Sequence, residues 1–559
     1  MIEKDVIALL GSAGVKADEQ QLEKPPQPDF GDVSFPCFPL AKVFRKSPVD
    51  IAVDLAKKMK IPKSSVVSKV EARAGYVNFF FDYQKFSKIV LADLNKKMNA
   101  GKGGKVMVEY SQPNPVHPMH IGHARSTFLG DSLANIFDFV GYKTIRANYM
   151  NNVGLQVAKL VLAYKLWAGA RVPNKKPDTW LWQYYVKFHE EAAKDEKLEQ
   201  EARSVLRSYE VDGDKNVAKL WDKIVGWCVE GFEETYKKVG VDFDTYFYES
   251  EFRKPGKKIV EETLKRGISR KTDEGAVFAD LERHGMPGTI VLRSDGTGLY
   301  ITSDLGLTEH KFSKYKLQKS VWVVSAQQDL HFQQLFKIIE LLGYDFHKKC
   351  QHFSYESVQL SEGKMSSREG RAVMIDEVVD KLSGLAYQEV LKRNPKMPEP
   401  KRREIARQIG VGALKYAIVR IEPQNQITFD WDQMLSLEGN TGPYLQYAHT
   451  RCLGILKKVK KFSAVTSYPK MNDQEKLLIK KLSEFKSVVS ESVRETKPHI
   501  VCNYGYELAT AFNSFYHNSP VLQSEDAKQK NFRLTLVKSA KEMLEKVFDL
   551  IGMEAPEKM

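Results

Sequence analysis

Between Val106 and Val140 the chain passes through a short apolar run, Val106-Met107-Val108, a loop rich in proline at Pro113, Pro115 and Pro118, and a long periodic segment. In that segment Ile121, Phe128, Leu129, Leu133, Ile136, Phe137 and Val140 recur three, four or seven positions apart, and Gly141 follows as a stop. The pattern predicts a strand, then a helix. Another strand signal comes at Thr144 to Ala147, so strand, loop, helix and strand fit into about 40 residues, the opening of a doubly wound parallel sheet. Residues 165–290 are polar, hold Trp180, Trp182, Trp221 and Trp227, and read as an insertion. Sheet signals resume at Thr289 to Leu292 and at Val321 to Val324, each followed by a helical stretch, and from about 376 onward helical periodicity prevails. Ahead of all this, the helical pattern of Phe86, Ile89, Val90 and Leu94 ends in a GKGGK break, and Ala74 to Phe81 alternate as a strand. The expected fold is therefore α/β: an α+β N-terminal domain (1–104), a Rossmann-type parallel-sheet domain (105–375, insertion 165–290), a connecting region (376–432) and an all-α C-terminal bundle (433–559).

Composition narrows the partners. Of 559 residues 42% are hydrophobic, which excludes a disordered basic tail, and the net charge of +14 favours a polyanion. The excess is not uniform: residues 1–104 and 433–559 each carry a surplus of five positive charges, leaving the long middle nearly balanced. Five cysteines with no CxxC pair point to reduced thiols in a cytoplasmic setting. The opening residues, MIEKDVIALLGSAG, read as an amphipathic helix rather than a signal peptide, and no apolar stretch reaches membrane-spanning length.

A strand entering a loop and a helix is where such folds bind nucleotides, yet neither GxGxxG nor GxxxxGK[ST] is present. The junction instead reads Pro118-Met119-His120-Ile121-Gly122-His123. Two imidazoles three apart on a first helical turn, with free helix N–H groups and the positive dipole end, suit a triphosphate, and Gly122 leaves room for a purine. An HxxH pair alone is weak. It gains weight from Lys364-Met365-Ser366-Ser367-Arg368-Glu369-Gly370 downstream: HIGH after the first strand and KMSSR after the last resemble the signature pair of class I aminoacyl-tRNA synthetases. The segments VEYSQPNPVHPMHIGHARSTFLGD, RSDGTGLYITSDLG, VVSAQQDLHFQQLFKIIELLG, EGNTGPYLQYAHTR and FNSFYHNSPVL resemble the arginyl-tRNA synthetases in particular.

That resemblance implies ATP, carrying Mg²⁺ but with no dedicated protein metal site, together with arginine and tRNA(Arg) as substrates of a cytoplasmic monomer. It implies ATP contacts at His120, Gly122, His123, Lys364, Met365 and Ser366, with His120, His123 and Lys364 catalytic. A guanidinium needs acceptors around its planar fork, and the resemblance assigns these to Glu109, Asn114, Tyr300, Asp304 and Gln328, Asp304 pairing with the guanidinium and Asn114 holding the backbone end. Tyr300 and Asp304 are four apart, on one helix face. For tRNA it implies that Tyr76 stacks and Asn78 reads an unpaired D-loop base, and that Tyr444, Tyr447, Tyr504 and the terminal Met559 meet the anticodon loop. Packing between helices is the competing explanation for each of those tyrosines.

One departure stands out. Where the family's KMSKS loop has its second lysine this chain has Ser367, and where a compensating lysine commonly precedes HIGH by three residues it has His117. Lys364, Arg368 or a protonated His117 are the candidates to supply the charge, Lys364 being the expected one. Two other readings follow: a silent tRNA-binding paralogue, favoured only by the missing lysines, and a class I synthetase for another amino acid such as cysteine, disfavoured because no zinc-ligating cysteine set is present.

Overall fold

The computed structural model describes residues 2–360, 373–429, 434–459, 465 and 468–559. Lys364, Met365 and Ser366, with Ser367 and Arg368, lie outside them. The contacts gather into two compact units, one of Met1–Lys96, Gly454–Glu484 and Thr510–Ala540, the other of Lys97–Leu453, Phe485–Ala509 and Lys541–Met559. This grouping does not follow the sequence divisions at 104, 375 and 432, because the C-terminal helices contribute to both.

In the first unit an antiparallel sheet has β3 (Tyr76–Phe81) between β1 (Val33–Pro36) and β2 (Val67–Arg73). Val77, Phe79 and Phe81 point one way along β3 and are buried, as the alternation requires. Helix Pro48–Lys58 starts on Ser47, whose Oγ accepts from the Asp50 N–H at 3.2 Å, with Pro48 next. Helix Tyr83–Asp93 starts on Asp82, whose Oδ1 accepts from Gln84 and Lys85 N–H groups.

The second unit is built on a parallel sheet of β4 (Lys105–Glu109), β5 (Lys143–Met150), β6 (Thr245–Tyr248), β10 (Lys319–Ser325) and β11 (Cys350–Tyr355), in the order β11-β10-β4-β5-β6. The order reverses between β4 and β10, the crevice where ligands bind in open sheets of this type. Met107, Ala147, Phe247, Leu305, Trp322, Val324 and Leu335 are among the buried side chains packed on it. Helix Ile121–Phe139 links β4 to β5, as its periodicity predicts.

Two expectations are corrected. The polar stretch 165–290 is not wholly inserted, since it contains the sheet strand β6, which escaped notice because only Phe247 of its four residues is fully buried. The Thr289–Leu292 strand is not in the main sheet. It is β9, paired antiparallel with β8 (Val277–Ala279) and through it with β7 (Ser269–Lys271). Helices Ile375–Arg393 and Glu399–Val419 occupy the connecting region, and Gly442–Lys457, Asp473–Glu495, His499–Asn518 and Ala527–Ile551 follow.

Candidate active site

After β4 the backbone turns through Ser111 and Gln112, both at positive φ (75° and 52°). Left-handed conformations cost a non-glycine residue roughly 1 kcal/mol or more, and here hydrogen bonds hold them. Ser111 N–H donates to Ser126 Oγ at 3.0 Å, Ser111 Oγ meets Thr127 Oγ1 at 2.8 Å and Tyr236 OH at 2.7 Å, and Gln112 N–H donates to Asn148 Oδ1 at 3.1 Å. Ser126 Oγ in turn donates to the Val323 carbonyl at 2.9 Å. The first turns of helix Ile121–Phe139 are thereby tied to both strands that flank the crevice.

His120 is the N-cap of that helix and His123 stands at its third position. His120 Nδ1 accepts from the Gly122 N–H at 3.1 Å, and His123 Nδ1 accepts from the His120 N–H at 3.2 Å. This is a capping box made of imidazoles, and it fixes their chemistry: with each Nδ1 accepting, a neutral ring carries its proton on Nε2, a donor left for a ligand. The sequence-based expectation of free helix N–H groups does not hold. Ile121 N–H donates to the Val373 carbonyl at 2.9 Å and His123 N–H to the His120 carbonyl at 2.8 Å, so the first turn already has its partners. Gly122 also has a nearer reason than a purine, because a Cβ there would lie 2.8 Å from His120 Cε1.

The rings of His120 and His123 lie 4.0 Å apart, and His117 lies 5.6 and 5.8 Å from them. Burial, then the neighbouring imidazoles, push His120 down to about 4 and His123 well below the usual imidazole value. His117 is 7% exposed and is likewise lowered by burial, which corrects the idea that a protonated His117 supplies the missing charge. Residues 373–375 pack onto this turn: besides the Ile121–Val373 bond, Ile375 N–H donates to the Met119 carbonyl at 3.0 Å.

The carboxylates come from the end of β4 and from helix Tyr300–Tyr315. Glu109, at the end of β4, is 1% exposed, and its oxygens are engaged by Lys311 Nζ at 2.5 Å and Gln112 Nε2 at 3.0 Å. Glu109 is thus an internal partner of the fully buried Lys311, not an open acceptor. Asp304 is partly open, and its Oδ2 pairs with His331 Nε2 at 2.7 Å, which holds His331 above its ordinary value. Tyr300, on the same helix (Tyr300–Tyr315), is 60% exposed. Gln328 is exposed, on the short turn after β10. Asn114 is exposed and accepts from Asn151 Nδ2 at 3.3 Å.

Three further side chains belong here that sequence reasoning missed. Glu249, the first residue after β6, is 1% exposed. One of its oxygens takes Arg253 Nη2 at 3.1 Å; Oε2 and the nearby hydroxyl of Tyr149 are buried without a hydrogen-bond partner. Burial pushes Glu249 up to about 7 against the pull of Arg253, with Asp304 adding repulsion. Native structures leave few buried polar atoms unmatched, and each calls for an explanation. His331 is the third. The signal for Glu249 was its place at a strand's C-terminal end, hidden because β6 itself went unread.

The expected RNA contacts separate into two groups. Tyr76 and Asn78 line one cavity of about 240 Å³ with Phe30, Ser34 and Arg73; Asn78 accepts from Ser34 Oγ at 2.5 Å, and the Arg73 guanidinium lies 4.0 Å from the Phe30 ring centre. Tyr444 and Tyr447 are half-buried on helix Gly442–Lys457, the first 5.6 Å from Tyr506 and the second under the Arg451 guanidinium at 4.7 Å. Met559 packs on the Ala386, Val390 and Ile409 cluster and lines a cavity of about 380 Å³. Tyr504 departs from expectation: it is 2% exposed and packs on Phe485 at 5.7 Å, so helix packing accounts for it.

Known proteins align along the whole chain. Residues 85–431 match the family described as tRNA synthetases class I (R), catalytic domain, residues 445–559 the DALR anticodon binding domain, and residues 1–81 the arginyl tRNA synthetase N terminal domain. An arginine–tRNA ligase of Clostridioides difficile is 37% identical over 549 residues, covering 97% of this chain and 96% of its own. One from Halothermothrix orenii is 35% identical over 558 residues, covering 98% and 97%. The Thermus thermophilus arginyl-tRNA synthetase structure superposes with a TM-score of 0.87 at 26% identity, over 100% of this chain and 99% of that one.

Proposed function

The chain belongs to the arginyl-tRNA synthetases of class I and is an arginine–tRNA ligase, and from that premise we propose which of its residues do what. Arginine enters the crevice between β4 and β10 with its guanidinium toward Asp304 and the unmatched oxygen of Glu249, beside Tyr300. Its backbone end lies toward Asn114 and Gln328. Glu109 acts from behind, holding Lys311 and Gln112 in place.

In the first step an arginine carboxylate oxygen attacks the α-phosphorus of ATP. The new P–O bond forms as the bond to the bridging oxygen breaks, and pyrophosphate leaves with the electron pair. The chemistry is positioning and charge stabilisation. His120 and His123 donate Nε2–H bonds to phosphate oxygens as neutral imidazoles, so they stabilise by oriented dipoles and not by net charge. Magnesium would accompany ATP as its counter-ion, and Lys364, with Met365 and Ser366, would contact the triphosphate. In the second step a terminal ribose hydroxyl of tRNA attacks the carbonyl of the arginyl-adenylate. An ester forms, and AMP leaves.

The Tyr76–Asn78 cavity takes an unpaired tRNA base, and Tyr444, Tyr447 and Met559 face the anticodon loop. The flanks 1–104 and 433–559 supply the RNA-binding regions of a cytoplasmic monomer. The observation that carries this assignment is the imidazole capping box, which engages both Nδ1 atoms and leaves both Nε2–H groups as donors at the start of the helix that follows β4. ATP–pyrophosphate exchange with each amino acid, with and without tRNA, tests it: arginine alone should support exchange, and only when tRNA is present. Exchange with another amino acid, or undiminished exchange by His120→Asn, contradicts the assignment.

A further inference from the structure

The N-terminal unit carries a ridge that the Tyr76 cavity leaves unused. Phe38, Val43, Phe44, Val49 and Val53 are 50, 76, 41, 52 and 37% exposed, the densest run of exposed large hydrophobic side chains among the described residues. Helix Pro48–Lys58 buries Ile51, Ala52 and Leu55, so its other face presents Val49 and Val53 one turn apart, with Lys57 a turn further. Soluble surfaces rarely gather apolar side chains like this without a partner.

Charge says which kind of partner. Lys42, Arg45, Lys46, Lys57, Lys58 and Lys60 are all exposed around the apolar positions. Asp50 and Asp54 are the only acids from 41 to 60, so this segment holds a surplus of four of the five positive charges in residues 1–104. Cations ringing an apolar strip match phosphates flanking unstacked bases. The ridge also continues into the cavity. Phe38 meets Tyr76 edge to face at 5.2 Å, and Gly75, at φ +83°, sits where a Cβ would fall 3.0 Å from Phe38 and 3.1 Å from Pro48.

We propose that the surface from Phe38 to Lys60 is a second tRNA contact, seating the backbone and splayed bases next to the nucleotide that enters the Tyr76–Asn78 cavity. It rests on the reading of that cavity as a base site. The apolar strip covers bases and riboses, while Lys42, Arg45 and Lys57 neutralise phosphates.

Filter binding of the full-length enzyme to a tRNA(Arg) transcript, over a series of salt concentrations, tests this with three variants. Val43→Ser/Val49→Ser should weaken binding about fivefold. Lys42→Ala/Arg45→Ala/Lys57→Ala should lower the slope of log affinity against log salt by about two. Neither should change KM for ATP. Tyr76→Ala reports on the cavity alone. If Tyr76→Ala weakens binding and both ridge variants bind like the parent, the ridge proposal is overturned while the cavity reading stands. If the ridge variants weaken binding and Tyr76→Ala does not, the ridge is an RNA contact and the cavity reading fails. A sedimentation shift in Val43→Ser/Val49→Ser with unchanged tRNA affinity assigns the face to a second copy of the chain and overturns the proposal.

Discussion

Glu249→Gln probes the arginine pocket most directly. Burial raises Glu249 to about 7, so its carboxyl goes from mostly protonated at pH 6 to mostly ionised at pH 8. A guanidinium at Oε2 needs the carboxylate, so arginine must displace that proton at low pH. Its affinity should rise about tenfold between pH 6 and pH 8. The His331–Asp304 pair pushes the same way: His331, held above its ordinary value by Asp304, competes for that carboxylate while protonated and releases it as pH rises. Arg253, itself paired with Glu210 at 2.6 Å, keeps its charge throughout and only sets the midpoint.

Stability runs in the opposite direction. The folded pKa of Glu249 exceeds its unfolded value, so the native state binds the extra proton between about 4.5 and 7, and stability falls across that window. Above it Glu249→Gln should be more stable than the parent, by on the order of 3 kcal/mol, though it binds arginine worse. The assay is KM for arginine in aminoacylation from pH 6 to 8 at saturating ATP and tRNA, beside urea melts at pH 8. A flat KM profile in the parent, or an equal slope in Glu249→Gln, would refute the reasoning.

His120→Asn keeps a side-chain acceptor for the helix cap but removes the Nε2–H donor, so pyrophosphate exchange should fall by about 10²- to 10³-fold with little change in melting temperature. His120→Ala should add a capping loss of about 1 kcal/mol, visible in the melt. Gly122→Ala should displace the His120 ring, given the 2.8 Å approach, and depress exchange while leaving tRNA affinity unchanged. Lys311→Met strands Glu109 in the interior and should cost about 3 to 5 kcal/mol in urea unfolding, with Glu109→Leu recovering much of it in the double variant. Tyr504→Ala should lower stability by about 3 kcal/mol or more with no rise in KM for tRNA; a selective rise in that KM would restore it as an RNA contact.

What could be read along the chain was whatever is local. The helix after β4, the strands on either side of it and the alternation of Val77, Phe79 and Phe81 are fixed by neighbours three, four or two positions away. Glu249 and β6 were lost together, because an edge strand with one buried side chain gives no alternating signal, and its membership depends on pairing with β5 nearly a hundred residues earlier. His331 lies in a segment quoted for its resemblance, yet its pairing with Asp304 across 27 positions is tertiary. Tyr504 shows the reverse error. A tyrosine on a helix reads equally as contact or core, and only the opposing Phe485 decides.

The spacing of the two histidines was legible, but its reason was not. Three positions separate the N-cap of a helix from its third residue, and that is the reach over which side chain and backbone exchange hydrogen bonds in a capping box. Because both Nδ1 atoms serve the cap, the proposed phosphate contacts fall to the Nε2–H groups, and the two requirements use opposite edges of the same ring. Burial first, then repulsion from the nearby imidazoles, keeps the rings neutral, which the cap also needs because a protonated Nδ1 cannot accept. The cap sets the orientation, and burial sets the neutrality that the cap requires. Beyond the magnesium that accompanies ATP, the proposed mechanism takes its positive charge from Lys364, with Arg368 as the alternative, because burial lowers His117 like the other imidazoles. Lys364→Ala should then cost more exchange activity than Arg368→Ala, and the reverse order would move the assignment to the guanidinium.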